Sequence, residues 1–354
     1  MSKRLLVYLV IIVILLVGIG IYFRFSSSLP DKITLTSQFQ NEGGLNEKPH
    51  PLSIVALRVG EYPGSEIAIE QTLEPGVNYK RFIASYRSEG LKIYALLTIP
   101  NEKKPEGGFP VVIFNHGYIP PAEYKTAERY TAYVDGFARA GFIVFKPDYR
   151  GHGNSEGKLE GAYYSPAYTI DILNAISSIK RYPDANPERI GMWGHSMGGN
   201  IALRTLVISK DIKAAVLWAG VVGTYEELMT KWRRDTSWRP SDSQASHHLS
   251  SIRESLQKTY GTPKDNPSFW HSIDPRFYLK DVSTPIQLHH GLADQSVPPE
   301  FSESLKNDLE KEGKTVEYYT YEGADHNISS PSFEVAMQRS VNFFNKYLKG
   351  GDAR

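Results

Sequence analysis

Hydrophobic positions along the chain fall into three successive patterns. The first is one uncharged run over residues 5–23, nineteen positions dominated by Leu, Ile and Val. As a helix rising about 1.5 Å per residue it spans roughly 28 Å, close to the thickness of a bilayer's hydrocarbon core. Lys3 and Arg4 precede the run and Arg24 follows it. That bias predicts a cytoplasmic N-terminus with the remaining chain on the extracytoplasmic side. The alternative is a cleaved signal peptide and a secreted protein. Ser26-Ser27-Ser28 are small enough for cleavage, but the apolar run is longer than a usual signal core. Residues 1–24 are therefore expected to be a single-pass membrane anchor. The polar stretch 25–50, with Gly43-Gly44 and Pro49, is expected to be a linker.

The second pattern occupies 51–100. Short β-like runs at 53–59, 65–70, 79–86 and 91–99 are separated by Pro63-Gly64, Pro75-Gly76 and Glu89-Gly90. These turn signals predict an antiparallel meander joining a larger sheet. The third pattern fills 101–350. Continuous apolar strands at 111–114, 143–145, 190–193, 214–218, 286–289 and 316–321 alternate with helical stretches at 127–140, 169–180, 200–208 and 302–312. Strands apolar on both faces, alternating with helices, predict an α/β domain with a mostly parallel sheet. The 64 residues between Gly220 and Pro285 interrupt the alternation and contain Trp232, Trp238, Trp270, Tyr225, Tyr260, Phe269 and Phe277, with helix-like spacing at 248–258. An aromatic insertion of this length, about 221–280, is expected to be a lid or binding wall. An extra packing layer is the plainer alternative.

Composition narrows the chemistry. Forty basic residues against 39 acidic ones leave a net charge of +1, which provides no field for nucleic acid. Cysteine is absent, so disulfides, thiolate metal sites and a cysteine nucleophile are excluded. The pairs His289-His290 and His247-His248 lack the spacing and third ligand of a metal site, and no phosphate-binding glycine motif opens a helix. No metal or cofactor is expected. Reaction chemistry must run on serine, histidine and carboxylates.

Two stretches match G-x-S-x-G. Gly153-Asn154-Ser155-Glu156-Gly157 follows a polar glycine-rich stretch, whereas Gly194-His195-Ser196-Met197-Gly198 lies between an apolar strand and a helical run. Strand, sharp turn and helix form the context of a nucleophile elbow, so Ser196 is the expected nucleophile. A serine hydroxyl needs a base oriented by a third group. Asp294 and His326 each fall just beyond a strand, in the chain order Ser, Asp, His. Asp325 is the competing acid, but as the sequence neighbour of His326 it is poorly placed to face its ring. For the oxyanion the expected backbone donors are Met197 N–H, after the nucleophile, and Tyr118 N–H, in the loop Asn115-His116-Gly117-Tyr118.

Asn115-His116-Gly117, Asp148-Tyr149-Arg150-Gly151-His152-Gly153, Gly194-His195-Ser196-Met197-Gly198-Gly199 and the loops ending in Asp294 and His326 resemble the α/β-hydrolase superfamily. Within it the chain is most similar to the catalytic domain of the prolyl oligopeptidase family, over about residues 80–349. The resemblance implies an eight-stranded, mostly parallel sheet and a serine peptidase acting on a short peptide, with a carboxylesterase acting on a small ester as the alternative. Only about 50 residues lie between the linker and the hydrolase domain, too few for the propeller that gates larger peptidases of that family. A non-catalytic binding domain on the same fold is a second alternative, which would predict a damaged triad.

Overall fold

The computed structural model describes residues 49–121, 123–232 and 244–350, with side chains in the last stretch from residue 251 onward. The apolar run at 5–23, and with it the expected anchor, lies outside the described residues. No helix among the described residues is long and apolar enough to cross a membrane.

The elements follow one another as α1 (Ile54–Arg58), β1 (Ala68–Leu73), β2 (Tyr79–Ser88), β3 (Leu91–Pro100), β4 (Phe109–Asn115), α2 (Thr131–Arg139) and β5 (Ile143–Pro147). Next come α3 (Ala167–Ile179), β6 (Ala185–His195), α4 (Met197–Ile208), β7 (Ala214–Trp218), α5 (Tyr225–Thr230), α6 (Gln244–Tyr260) and α7 (Pro267–Ile273). A 3-10 turn (Pro275–Asp281) leads to β8 (Ile286–Gly291), α8 (Pro299–Lys311), β9 (Val316–Tyr321) and α9 (Ser332–Leu348). The strands form one sheet in the order β1-β2-β3-β5-β4-β6-β7-β8-β9. The three pairs from β1 to β5 are antiparallel and the other five are parallel.

Alternation along the strands explains their continuous hydrophobicity. Val111 and Ile113 face one core, shared with Ile172, Ile176 and Ile201 from α3 and α4. Val112 and Phe114 face a second core, shared with Val134 and Phe137 of α2 and Phe343 and Phe344 of α9. Each strand must therefore be apolar on both sides. Helix α9, which the sequence reading did not include, buries Ala336, Ser340, Phe344 and Leu348 at intervals of four, the spacing of one helix face.

Two expectations are corrected. Residues 53–59 do not form a strand: Ser53 Oγ accepts the Ala56 amide at 3.1 Å and starts α1, which buries Ile54 and Leu57 on one face. A short apolar run does not by itself distinguish the two periods. The sheet has nine strands where the resemblance implied eight. The ninth is β1, a largely exposed edge strand that pairs only with β2, with its register shifted between Ile69 and Gln71.

A buried charge pair ties the antiparallel end to the helical layer. Asp171 of α3, fully buried, bonds the Arg150 guanidinium at 2.7 Å, the Arg150 amide at 2.9 Å and the Ser88 hydroxyl at 2.7 Å. Removing Asp171 leaves the buried Arg150 guanidinium with only the more exposed Glu89 and Glu160 as partners and leaves its amide and the Ser88 hydroxyl without their acceptor. Asp171→Ala is expected to lower unfolding free energy by about 3–5 kcal/mol, read as a fall in the denaturant midpoint.

Candidate active site

Strand β6 ends at His195 and α4 begins at Met197, so Ser196 alone makes the corner, with φ 54° and ψ −118°. Few side chains tolerate such a backbone, and the corner closes only because glycines surround it. A Cβ on Gly198 would lie 2.0 Å from the Asn115 carbonyl oxygen, and one on Gly194 would lie 2.5 Å from that of Gly198. One on Gly199 would meet Gly220 Cα at 2.6 Å. The corner is also tied to β7: the Ser196 amide donates to the Trp218 carbonyl at 3.0 Å, and its own carbonyl accepts the Val221 amide at 3.0 Å.

Sheet order brings the second loop alongside. The direction of strand succession reverses between β4 and β6, whose carboxyl ends lie side by side with Asn115 opposite Gly194. Such a switch point opens the crevice where ligands bind in α/β sheets. Tyr118 therefore sits in the loop leaving β4 beside the elbow, and a Cβ on Gly117 would stand 3.2 Å from Ser196 Cβ. Met197 opens α4, where first-turn amides have no intrahelical acceptor and the helix dipole favours negative charge.

Asp294 and His326 meet beyond β8 and β9. Asp294 Oδ2 accepts His326 Nδ1–H at 2.7 Å and His290 Nε2–H at 3.1 Å, while Oδ1 accepts the Ser296 and Val297 amides at 2.7 and 2.9 Å. Burial pushes this carboxyl up, but the donors, His290 and His326 foremost, outweigh it and hold it well below the usual carboxylate range. The His326 side chain is 19% exposed while that of Asp294 is fully buried. Its ring centroid lies 4.6 Å from that of His195, the residue before Ser196. Asp325 instead accepts the Ser329 amide and hydroxyl at 2.9 and 3.0 Å and closes its own turn.

The other G-x-S-x-G stretch fastens a loop to the sheet. Ser155 Oγ accepts the Tyr94 amide at 2.9 Å, and the Glu156 amide donates to the Lys92 carbonyl at the same distance. His289 is buried between Tyr321 Oη and the Gln287 amide oxygen, at 2.8 and 2.7 Å.

Residues 129–351 match the prolyl oligopeptidase family (Peptidase_S9). The chain belongs to that family. It is a serine hydrolase on the α/β-hydrolase fold. It is similar to the uncharacterized peptidase YtmA of Bacillus subtilis (strain 168), 26% identical over 71% of this chain and 88% of that protein. Among solved structures, the acylaminoacyl peptidase of Pyrococcus horikoshii is 25% identical with a TM-score of 0.61, over 78% of this chain but only 43% of that one. The acetyl xylan esterase of Paenibacillus sp. R4 shares the fold with a TM-score of 0.62 at 17% identity, over 83% of this chain and 92% of that one.

This member of the prolyl oligopeptidase family supports its carboxylate with a residue that sequence reasoning passed over. His290 Nδ1 accepts the Ser302 hydroxyl of α8 at 2.7 Å, which leaves Nε2–H for Asp294 and the Val297 carbonyl. The four-residue step from His290 to Asp294 across a strand end was the available signal. The insertion meets the same loop: Trp232 Nε1–H donates to the Ser296 carbonyl at 2.8 Å, with the Tyr163 ring edge-on at 5.4 Å. Trp238 lies outside the described residues.

The depressed Asp294 carboxyl links stability to pH. Its folded pKa lies below the unfolded value of about 3.9, so its contribution is full above that value and is lost as pH falls beneath it. The stability difference between wild type and Asp294→Asn should be largest near neutral pH and shrink below about pH 4, as measured by urea unfolding across that range.

Proposed function

We propose that the chain is a membrane-anchored serine peptidase that cleaves short peptides through an acyl-enzyme on Ser196. The observation that carries this reading is the 2.7 Å bond from His326 Nδ1 to Asp294. A carboxylate only accepts, so Nδ1 carries the proton and Nε2 of the neutral ring is the basic nitrogen. Nε2 takes the Ser196 proton as Oγ attacks the carbonyl, and the ionised Asp294 stabilises the imidazolium that forms. Met197 and Tyr118 N–H groups bind the tetrahedral oxyanion. His326 then returns its proton to the leaving amine, and water, activated by the same nitrogen, releases the acyl group.

Family membership supports the peptide substrate, as does the likeness to the Bacillus peptidase YtmA. Ester cleavage by the same groups is the second reading, favoured by the fit to almost the whole acetyl xylan esterase chain. An amide needs its leaving nitrogen protonated, an alkoxide less so, and the matched pair of p-nitroanilide and p-nitrophenyl ester with one acyl group separates the two. A kcat/KM for the anilide within about a hundredfold of that for the ester supports the peptidase; undetectable anilide cleavage leaves the esterase. In this reading Trp232, at the described edge of the insertion, forms part of one wall of the site through its bond to the Ser296 carbonyl.

Fluorophosphonate labelling of the full chain should be strong in wild type and absent in Ser196→Ala. Ser196→Ala and His326→Ala should lower kcat by about 10⁴-fold or more, and Asp294→Asn by about 10³–10⁴-fold. Labelling that persists in Ser196→Ala would sink the assignment. Residues 5–23 hold the protein in the bilayer with residues 25–354 on the extracytoplasmic side. Removing residues 1–24 should move the protein from the membrane to the soluble fraction; membrane retention of the shortened chain would overturn the anchor.

A further inference from the structure

Between the loop leaving β4 and the loop carrying His326 runs a chain of hydrogen bonds that the mechanism above does not use. The Gly117 amide donates to Tyr130 Oη at 2.9 Å, Tyr130 Oη lies 2.7 Å from His195 Nδ1, and His195 Nε2 lies 3.0 Å from the His326 carbonyl oxygen. With a neutral His195 ring, only one assignment of protons satisfies all three contacts. The His326 carbonyl can only accept, so Nε2 carries the His195 proton; Nδ1 then accepts the Tyr130 hydroxyl, whose oxygen takes the Gly117 N–H. His195 is buried, and that burial, with the nearby His326, pushes its pKa down to about 3, so the ring is neutral as the assignment requires.

The first bond bears on oxyanion binding. It fixes the plane of the His116–Gly117 peptide. The next peptide is fixed from its other side, because His116 Nδ1–H donates to the Gly117 carbonyl at 2.7 Å and a trans peptide then aims the Tyr118 N–H the opposite way. Tyr130 is itself held in an unusual state. It precedes α2 with φ 61° and ψ 25°, a left-handed backbone that a bulky aromatic residue seldom adopts. Strain of this kind persists only where the surroundings over-determine it, and it concentrates at functional sites. One turn further along α2, Tyr133 donates to the Asn327 carbonyl at 2.8 Å, beside His326. The start of α2 thus touches both loops. Gly117 leaves no slack, since a Cβ there would meet Tyr130 Oη at 2.6 Å and His195 Nδ1 at 3.2 Å.

We propose that Tyr130 and His195 are positioning residues, a relay that holds the Tyr118 oxyanion donor and the His326 base in register across the Ser196 elbow. The proposal rests on the reading of Ser196, His326 and Tyr118 given above. The relay touches no reacting atom. It acts by removing slack between two loops that approach from different strands, and a misplacement of about 1 Å at such a site costs on the order of a hundredfold in rate.

The test uses the full-length chain with p-nitrophenyl acetate, comparing wild type, Tyr130→Phe, His195→Gln, the double variant and Ser196→Ala. Tyr130→Phe is expected to lower kcat about 10- to 100-fold while KM stays within about twofold. Affinity for phenylboronic acid, which becomes tetrahedral on the serine, should fall by the same factor as kcat, because both depend on the oxyanion donor. His195→Gln should behave alike, and the double variant should be no worse than the more damaged single one, as expected for two links of one chain. Wild-type kcat in Tyr130→Phe overturns the relay, as does a loss confined to KM or single losses that multiply in the double variant. If Tyr130→Phe does not fold, His195→Gln reads the same relay from its other end, and wild-type kcat there overturns it. Turnover by Ser196→Ala would instead overturn the underlying reading of the site, whereas an inactive Ser196→Ala beside a fully active Tyr130→Phe removes the relay alone.

Discussion

A serine at φ 54° between a strand and a helix brings backbone so close together that Gly194, Gly198 and Gly199 have no room for a side chain, and much of this molecule is arranged to meet that constraint. Gly198 lets the start of α4 touch the Asn115 carbonyl, and Gly199 lets it touch Gly220. These contacts draw the ends of β4, β6 and β7 together at one point. Because strand succession reverses between β4 and β6, that point is also the switch point of the sheet, the position at which ligands bind in open α/β sheets.

Charge is handled with the same economy. Both oxygens of Asp294 accept two donors each, from His290, His326 and two backbone amides, so a buried carboxylate remains ionised. Each donor also directs something else. His326 is left with its second nitrogen as an acceptor, and His290 is held in one tautomer by Ser302. Behind the loop leaving β4, Tyr124 Oη bridges Lys146 Nζ and the Asp148 carboxylate at 3.1 and 2.7 Å, and its ring stacks on His116. Burial pushes Asp148 up and Lys146 down, against the pull of each on the other. The loop leaving β4 therefore rests on a hydrogen-bonded polar support.

The features legible in the sequence were those written within a few neighbouring residues. Strand, elbow and helix around Ser196 are contiguous, and so are the strand ends preceding Asp294 and His326. Elements whose identity depends on distant partners were harder. Residues 53–59 carry a strand-like composition, yet the Ser53 cap and the burial of Ile54 and Leu57 make them helical. The edge strand β1, expected at 65–70, lies at Ala68–Leu73, where its pairing with β2 sets the bounds, and the partner of Ser155 in the other G-x-S-x-G is the Tyr94 amide of a distant strand.

The sequence by itself determined the alternation of buried strands and covering helices, since a strand covered on both faces must be apolar throughout and a helix must repeat near every fourth position. It also determined the elbow, because only glycine fits where backbone meets backbone. Tertiary structure decided which polar groups face one another. Tyr130 lies 13 positions from Gly117 and 65 from His195, and His290, which shares Asp294 with His326, takes the hydroxyl of Ser302 from another element. No local pattern encodes such distances: a hydrogen bond depends on position and direction in space, and those are set only when the loops of several strands converge on one edge of the sheet.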